Sequence, residues 1–326
     1  MDREEENKRQ IGPLYGYDVK LIIQPDDGLA PLLKAVRKSK KTIDIVIFRF
    51  DRPELEKALE AAVGRGVVVR ALIAHTNRGG EKILRKLELK LLAAGITVAR
   101  TADDLPRYHG KMMIADDTLF VFGFNYTHLD IEKSRSFGIV TTDKRLVKEA
   151  STLFEADRCR QGYIPSDDRL VVSPESSREV LTTFIKRARK QLLIYDEKVS
   201  DNLVLRVLQQ RAKAGVEIRV IGRVEKAIDG LVMRKMPGLR LHVRAMIRDG
   251  SSAFVGSQSL RRLELDGRRE VGILINQTSV VKQMLEVFED DWKEAGGKPL
   301  AVLEAKLEKG KEKEKEKDVK TESKAS

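Results

Sequence analysis

Two stretches of the chain repeat the same order of elements, and this repeat constrains the fold more than any other feature of the sequence. Apolar periodicity predicts a helix, a strand, a helix and a strand in residues 30–74, and the same order in 179–223. Residues 66–70 (Gly-Val-Val-Val-Arg) align without a gap with 215–219 (Gly-Val-Glu-Ile-Arg), at an offset of 149 residues. The chain is therefore expected to build one α/β unit twice.

Each predicted unit continues with shorter strands. The second unit is the smaller one, because the helix predicted over 80–94 shrinks there to a few residues. Pro53 favours the start of a helix, and Gly64 favours its end. The expected helices cover 32–38, 53–63, 80–94, 179–189 and 202–214, and the expected strands cover 42–50, 67–74, 96–100, 111–115, 119–122, 191–196, 216–221, 239–243, 245–247 and 252–255.

Strands that alternate with helices indicate an α/β fold whose sheets are covered by helices. We expect two repeated α-β-α sandwich halves with mixed sheets, packed around a pseudo-two-fold axis with the functional site at their interface. The first half is predicted over 12–160 and the second over 165–297, with a linker in 157–168. Residues 298–326 are rich in Lys and Glu and lack an apolar period, which is typical of a disordered tail.

Two of the four histidines lie at matching places in the two predicted halves. His109 is followed by Lys111, and His242 is followed by Arg244. In a strand, residues i and i+2 point to the same face, so each imidazole is expected to project beside a cation. A phosphate held between two cations, with an imidazole on either side, is a workable site for displacement at phosphorus.

These residues resemble the phospholipase D superfamily, which is marked by His-x-Lys-x4-Asp followed by Gly-Ser-x-Asn, with two copies in each active site. The resemblance runs from near Tyr15 to near Gly296 and rests on two copies of the pattern in one chain. The first copy matches at His109, Lys111, Asp116 and Asn125, and the second at His242, Asp249, Gly256 and Ser257.

The resemblance implies a two-step mechanism. One histidine attacks phosphorus and forms a phosphohistidine, while the other protonates the leaving alkoxide and then activates water or an alcohol. Protein cations balance the phosphoryl charge, so neither a cofactor nor a metal is expected. The sequence likewise contains no Asp, Glu and His cluster with the spacing of metal ligands.

The two copies depart from the pattern in different ways. Arg244 replaces the lysine of the second copy; it still binds phosphate, but its planar fork needs different room. Asn125 takes the Asn place of the first copy, and Ser257 and Ser259 occupy the Ser and Asn places of the second. We expect these three side chains to contact the substrate. Asp116 and Asp249 belong to the predicted catalytic set, but we expect them to position loops and cations without transferring protons.

A carboxylate further along the chain completes the pattern in one half only. In the superfamily this residue hydrogen-bonds the histidine of the opposite half. Glu270 has the right spacing, whereas the equivalent residue Ser136 cannot supply a charge. Glu270 is therefore predicted to orient His109 as the nucleophile. His242, without a carboxylate partner, is predicted to be the general acid and base.

The composition agrees with an anionic substrate. The net charge is +12, and Lys and Glu nearly cancel in the tail, so the excess lies on the folded body and attracts phosphate esters, nucleic acid or acidic lipid. The chain's single cysteine, Cys159, fits a reducing compartment. No secretory signal and no membrane span is expected, so we predict a cytoplasmic protein that contacts an anionic membrane peripherally.

The substrate class stays open at this stage. Only 5% of the residues are aromatic, which weakens the case for base stacking, and long apolar loops that could form a lipid-facing rim are also absent. The layout resembles cardiolipin-synthase-like proteins as much as nucleases. We favour a phosphodiester hydrolase or phosphatidyl transferase acting on phospholipid. The alternatives are a metal-independent endonuclease and an inactive phosphate-binding module. No obligatory protein partner is expected, because both half-sites lie in one chain.

Overall fold

The computed structural model describes residues 18–77, 79–236 and 238–296. Within them the predicted α/β fold class is confirmed, with two repeated halves that each contain a mixed sheet. The predicted tail over 298–326 lies outside the described residues.

The first half begins with an edge strand and ends with a long helix. Asp143 caps that helix, because its carboxylate accepts the N–H groups of Arg145 and Leu146. Its elements are β1 (Val19–Gln24), α1 (Ala30–Lys38), β2 (Thr42–Ile47), α2 (Pro53–Gly64), β3 (Val68–Ile73), α3 (Glu81–Ala93), β4 (Thr97–Arg100), β5 (Met112–Ala115), β6 (Thr118–Phe122), α4 (His128–Glu132), β7 (Ser134–Thr141) and α5 (Lys144–Cys159).

The second half repeats this order but lacks a counterpart of α3 among the described residues. Its elements are β8 (Leu170–Ser173), α6 (Ser177–Lys186), β9 (Gln191–Val199), α7 (Asn202–Lys213), β10 (Glu217–Val224), β11 (Leu231–Arg234), β12 (Arg240–Leu241), β13 (Arg244–Arg248), β14 (Ser252–Gly256), α8 (Arg262–Asp266), β15 (Glu270–Ile275) and α9 (Thr278–Glu294).

The two sheets have matching topologies. The first has the order β1-β7-β6-β5-β2-β3-β4, and the second has the order β11-β10-β9-β13-β14-β15-β8. In the first sheet the neighbouring strands β2, β3 and β4 run parallel to one another, and all other neighbouring strands in the stated order are antiparallel. Each sheet is therefore mixed, as predicted.

Alternating side chains of the strands build three layers of core. Ile43 and Ile45 of β2 point to the outer face of the first sheet, where α1, α2 and α3 cover them. The equivalent outer face of the second sheet is covered by α6 and α7. The inner faces of both sheets share one continuous core with α5 and α9, and this core joins the two halves.

Backbone pairing also crosses between the halves, and it does so next to the two histidines. β12 of the second half pairs in parallel with the start of β7, and Tyr108 forms a bridge with Arg269 at the start of β15. The segments that carry His242 and His109 are thus each attached to a strand of the opposite half.

Several predicted elements need correction. The sequence analysis missed β1, β7, β8, β11 and β15, and the strand predicted over 239–243 is wrong beyond the two residues of β12. His109 and Lys111 lie in an extended segment before β5, and His242 lies before β13. Since these segments pair with the opposite half, the alternation of a regular strand does not fix their side chains.

A glycine in β10 tests how tightly the second half is packed. Gly222 has φ +138°, and a Cβ atom built there would lie 1.7 Å from the carbonyl oxygen of Asp196. We expect Gly222→Ala to lower the free energy of unfolding by about 3 kcal/mol or more, measured by urea denaturation. The control is Gly215→Ala, where φ is +83° but no atom lies within 4 Å, and the expected loss is about 1 kcal/mol. Equal losses would contradict the proposed backbone clash.

Candidate active site

His109 is held by the opposite half through both its backbone and its side chain. Its N–H donates to the carbonyl oxygen of Arg269 at 2.7 Å, which places the next residue, Glu270, beside the imidazole. The distance from His109 Nδ1 to Glu270 Oε2 is 2.8 Å, and Glu270 is fully buried. The structure thus brings together the two residues that the sequence analysis paired.

Lys111 is also fully buried and lies against the same imidazole. Its Nζ atom is 2.9 Å from Nδ1 and 3.0 Å from Nε2 of His109, and it donates to the carbonyl oxygen of His109 at 2.5 Å. The ring of Phe48 closes this side of the site, with its centroid 4.4 Å from that of His109 and 5.3 Å from Lys111 Nζ.

Burial shapes the protonation of this group. It lowers the pKa of His109 well below its usual value, and the charges of Lys111 and Arg244 lower that pKa further. Burial also lowers the pKa of Lys111 to about 7, although Glu270 raises it. The pKa of Glu270 is raised by burial, against the opposing charge of Lys111. A neutral imidazole with one nitrogen oriented by a carboxylate is a competent nucleophile.

His242 has a carboxylate partner, so the prediction that it lacks one is wrong. The Oδ2 atom of Asp130, on α4 in the first half, lies 3.6 Å from Nδ1 of His242. The sequence analysis looked for this partner at Ser136, by its spacing from Asn125. Ser136 instead donates its hydroxyl to the carbonyl oxygen of His242 at 3.0 Å. An acidic residue flanked by apolar ones on a five-residue helix gave no signal of its own.

Asp130 is fixed by three donors. Asn125 donates from its backbone at 2.9 Å and from its side chain at 2.5 Å, and Arg240 donates at 2.6 Å. Burial raises the pKa of Asp130, but His242, Asn125 and Arg240 together lower it more, so it stays below its usual value. The predicted substrate-binding residue Asn125 therefore positions Asp130 in this structure.

The pKa of His242 reflects the same balance. Burial lowers it well below its usual value and the charge of Arg244 lowers it further, while Asp130 raises it. Arg244 is buried, and its charge also lowers the pKa values of His109 and Lys111. The charged groups of both half-sites therefore act on one another, as expected for a single site at the interface.

The walls beside the two cations differ. Phe48 and Glu197 occupy equivalent positions at the offset of 149 residues. Phe48 packs on Lys111 and His109, whereas Glu197, with 60% of its side chain exposed, pairs with Arg244 at 3.3 Å. One side of the site is therefore aromatic and the other carries an exposed carboxylate.

The remaining predicted residues are engaged by protein groups. The Ser259 hydroxyl donates to Asp196, and the Ser257 hydroxyl accepts from the N–H of Val271 at 3.1 Å. Asp116 accepts the N–H groups of 40–42, and Asp249 those of 189–191. Both aspartates have a positive φ, near 50°, typical of a residue that closes a tight loop. The two serines lack the free hydroxyls that we predicted for substrate.

Two arginines that the sequence analysis missed anchor the strands at the site. Arg135 and Arg269 precede Ser136 and Glu270, and each is fixed by one carboxylate of its own half and one of the opposite half. Arg269 donates to Asp157 at 3.1 Å, to Glu175 and to the Ser173 carbonyl oxygen at 2.9 Å, whereas Arg135 donates to Asp291 at 2.9 Å, to Asp26 at 3.2 Å and to the Gln24 carbonyl oxygen at 3.0 Å. The carbonyl oxygens of Arg269 and Arg135 accept from the backbone N–H groups of His109 and His242. The contacts of the arginine side chains therefore act as clamps that fix the position of each histidine relative to the opposite strand.

Several buried polar atoms at the site have no hydrogen-bond partner among the described residues. They are Glu270 Oε1, Asn125 Oδ1 and Arg244 Nε, together with His242 Nδ1, which lies at ion-pair distance from Asp130 but beyond the reach of a hydrogen bond. These unused donors and acceptors lie beside two cations and are available to bind a polar ligand. Among the described residues, no group of three or more His, Cys, Asp and Glu side chains is arranged to hold a metal ion. No described helix is long and apolar enough to span a bilayer.

A family model and a curated relative both connect the chain with cardiolipin enzymes. A family model described as the PLD-like domain of cardiolipin synthase matches residues 32–158 and 181–292. Mitochondrial cardiolipin hydrolase of Homo sapiens is 30% identical over 129 residues, which cover 38% of this chain and 48% of that protein. The chain thus spans about half the length of this curated relative.

Two solved structures share the fold. Phosphatidylserine synthase from Haemophilus influenzae has a TM-score of 0.66 at 11% identity, covering 85% of this chain and 86% of that one. Polyphosphate kinase from Porphyromonas gingivalis has a TM-score of 0.70 at 17% identity, covering 83% of this chain and 50% of that one. At these identities the likeness concerns the fold alone.

The two buried histidines make folding stability depend on pH. Since burial lowers both pKa values, the unfolded chain binds more protons than the folded protein below about pH 6.5, and stability falls as the pH drops. The expected loss approaches about 1.4 kcal/mol per pH unit for each histidine, measured by urea unfolding between pH 7.5 and 5. His109→Asn with His242→Asn should flatten this dependence. The control, His75→Gln with His128→Gln, should keep it; equal behaviour of the two variants would contradict the assignment.

Proposed function

Because the chain belongs to the phospholipase D-like family defined by the cardiolipin synthase domain, we propose that it cleaves or transfers a phosphodiester bond of a phospholipid through a phosphohistidine. The observation that carries the proposal is the pairing of His109 with Glu270, and of His242 with Asp130, across the two halves. The cardiolipin synthase domain that defines the family and the similarity to a cardiolipin hydrolase favour a phospholipid over nucleic acid.

In the first step His109 is the nucleophile. Its Nδ1 proton is held by Glu270, so the Nε2 lone pair attacks phosphorus, an N–P bond forms and the P–O bond to the leaving alkoxide breaks. His242 enters this step as the imidazolium and gives its proton to the alkoxide. Asp130 and the negative charge of the substrate phosphate both favour that protonated form.

The second step begins with His109 bonded to phosphorus and with His242 deprotonated. His242 is now neutral and accepts a proton from water or from an alcohol, whose oxygen attacks phosphorus while the N–P bond breaks. Water gives hydrolysis and an alcohol gives transfer. The proton returns to His242, and His109 is regenerated with its Nδ1 proton still at Glu270.

Lys111 and Arg244 are the cations for the non-bridging phosphoryl oxygens. Arg244 supplies a planar pair of donors and Lys111 a compact point charge. An incoming phosphodiester would compete with Glu197 for Arg244. The proposed phosphate position therefore lies between His109 and His242 and is bounded by Phe48.

Trapping of the intermediate tests the roles of the histidines. The enzyme is incubated in EDTA with phosphatidylglycerol labelled at phosphorus and quenched in base, because a phosphohistidine is labile to acid. We expect His242→Asn to accumulate label, His109→Asn to take none and His128→Gln to resemble wild type. Glu270→Gln should slow labelling about 10²- to 10⁴-fold. Label mapped to His242 would reverse the assignment, and EDTA-resistant nicking of plasmid DNA without lipid turnover would identify a nuclease.

The alkaline limb of the pH profile tests Lys111. Its pKa of about 7 implies that kcat/KM for bis-p-nitrophenyl phosphate falls tenfold per pH unit above that value, as the ammonium group loses its proton. Arginine stays charged throughout this range, so Lys111→Arg should remove the limb even if its maximal rate is lower. Lys148→Arg, on α5, should retain it. An unchanged limb in Lys111→Arg would assign the ionisation to another group.

A further inference from the structure

The helix α3 breaks the symmetry of the two halves, and its outer face is chemically unusual. Leu84 and Leu91 point to the sheet and are buried. Three other large apolar side chains face solvent: Ile83 is 59% exposed, Leu89 is 52% exposed and Leu92 is 48% exposed. Most of the large exposed apolar side chains elsewhere in the described residues stand singly, which needs no explanation, but three on one helix do.

The same face is strongly basic. Lys82, Arg85, Lys86 and Lys90 are exposed among the three apolar side chains. Arg85 pairs with Glu88 at 3.3 Å and Lys90 with Glu56 at 3.2 Å, whereas Lys82 and Lys86 form no ion pair with any described residue. Exposed apolar side chains and unpaired lysines on one helix can add apolar burial and electrostatic attraction to binding at an anionic bilayer.

We propose that the outer face of α3, defined by Lys82, Ile83, Lys86, Leu89 and Leu92, docks the protein on an anionic lipid surface. The leucines and the isoleucine enter the level of the lipid head groups, and the lysines contact the phosphates. The charge of the face complements such a surface, and each lysine close to it strengthens binding about fivefold, the equivalent of about 1 kcal/mol.

The position of α3 connects this face to the site. The loop before the helix contains Asn77, whose side chain donates to the carbonyl oxygen of Phe48 at 2.8 Å. The ring of Phe48 packs on His109. Arg100 of β4 contacts Glu81 and Glu88 and so attaches the helix to the sheet. The loop that leads into α3 is therefore linked by one hydrogen bond to the residue that packs on the proposed nucleophile.

The inference rests on the proposed function, because a docked bilayer is useful only to an enzyme whose substrate is a lipid. The second half has no helix between β10 and β11, so among the described residues the face has no symmetric copy. We therefore expect a single docking helix, which lies in the first half.

Co-sedimentation with vesicles tests the docking face. Vesicles of phosphatidylcholine with 30% phosphatidylglycerol are compared with vesicles of phosphatidylcholine alone. We expect wild type to prefer the anionic vesicles, Lys82→Glu with Lys86→Glu to bind about 30-fold more weakly or worse, and Leu89→Gln with Leu92→Gln about tenfold more weakly. Glutamine keeps a high helix propensity, so helix loss is avoided.

Matched variants control for net charge and for exposed apolar area. Lys144→Glu with Lys148→Glu reverses the same i, i+4 spacing on α5, and Ile164→Gln removes a side chain that is 86% exposed. Neither should change vesicle binding. All variants should hydrolyse bis-p-nitrophenyl phosphate at the rate of wild type, because α3 does not touch the site's histidines.

The outcomes separate this inference from the proposed function. Vesicle binding that depends on α3, without turnover of any lipid, would refute the lipid substrate and leave the docking face standing. Variants of α3 that bind vesicles as tightly as wild type would overturn the docking face, whatever the activity. Loss of a dimer in Leu89→Gln with Leu92→Gln, without loss of vesicle binding, would also overturn it and assign the face to a second copy of the chain.

Discussion

Two backbone hydrogen bonds that cross between the halves set the geometry of the site. The N–H of His109 donates to Arg269, and the N–H of His242 donates to Arg135. Both acceptors lie at the start of a strand, so the next residue in each strand contacts the histidine of the other half. Glu270 contacts His109, and Ser136 contacts His242. The arginine side chains cross in the same places, because Arg135 pairs with Asp291 of α9 and Arg269 pairs with Asp157 of α5. The C-terminal helix of each half is therefore attached to a strand of the other half. Neither half-site is complete without the opposite sheet.

The rest of the site follows from the cost of burying charge. Lys111 and Arg244 are buried together, and such cations persist in a protein interior only when anions and hydrogen bonds compensate them. Glu197 pairs directly with Arg244, the charge of Glu270 acts on Lys111, and Asp130 supports His242 from the other side. The same burial keeps both imidazoles neutral. An anionic phosphodiester relieves this excess of positive charge, so binding and protonation of the site are coupled.

The sequence was sufficient for the features that are periodic or repeated. The α/β class and the two halves followed from periodicity and repetition, and the pairing of His109 with Glu270 followed from the resemblance to the phospholipase D superfamily. Asp130 was missed because the spacing from Asn125 pointed to Ser136, and because its helix α4 has only five residues. The clamps of Arg135 and Arg269 were missed because their carboxylates come from distant elements. Ser257 and Asn125 matched the pattern in type, and Ser259 stood in the place of its Asn. Their contacts with Val271, Asp130 and Asp196 depend on packing that no local pattern encodes.

The difference between Phe48 and Glu197 has a consequence for how such a site can specialise. In a dimer of identical chains, any substitution beside one histidine appears beside the other as well, so both must tolerate it. Because both halves lie in one chain, that restriction does not apply here, and one wall is aromatic while its counterpart is acidic. A substrate with two chemically different ends would therefore meet two different surfaces in the proposed site and bind preferentially in one orientation.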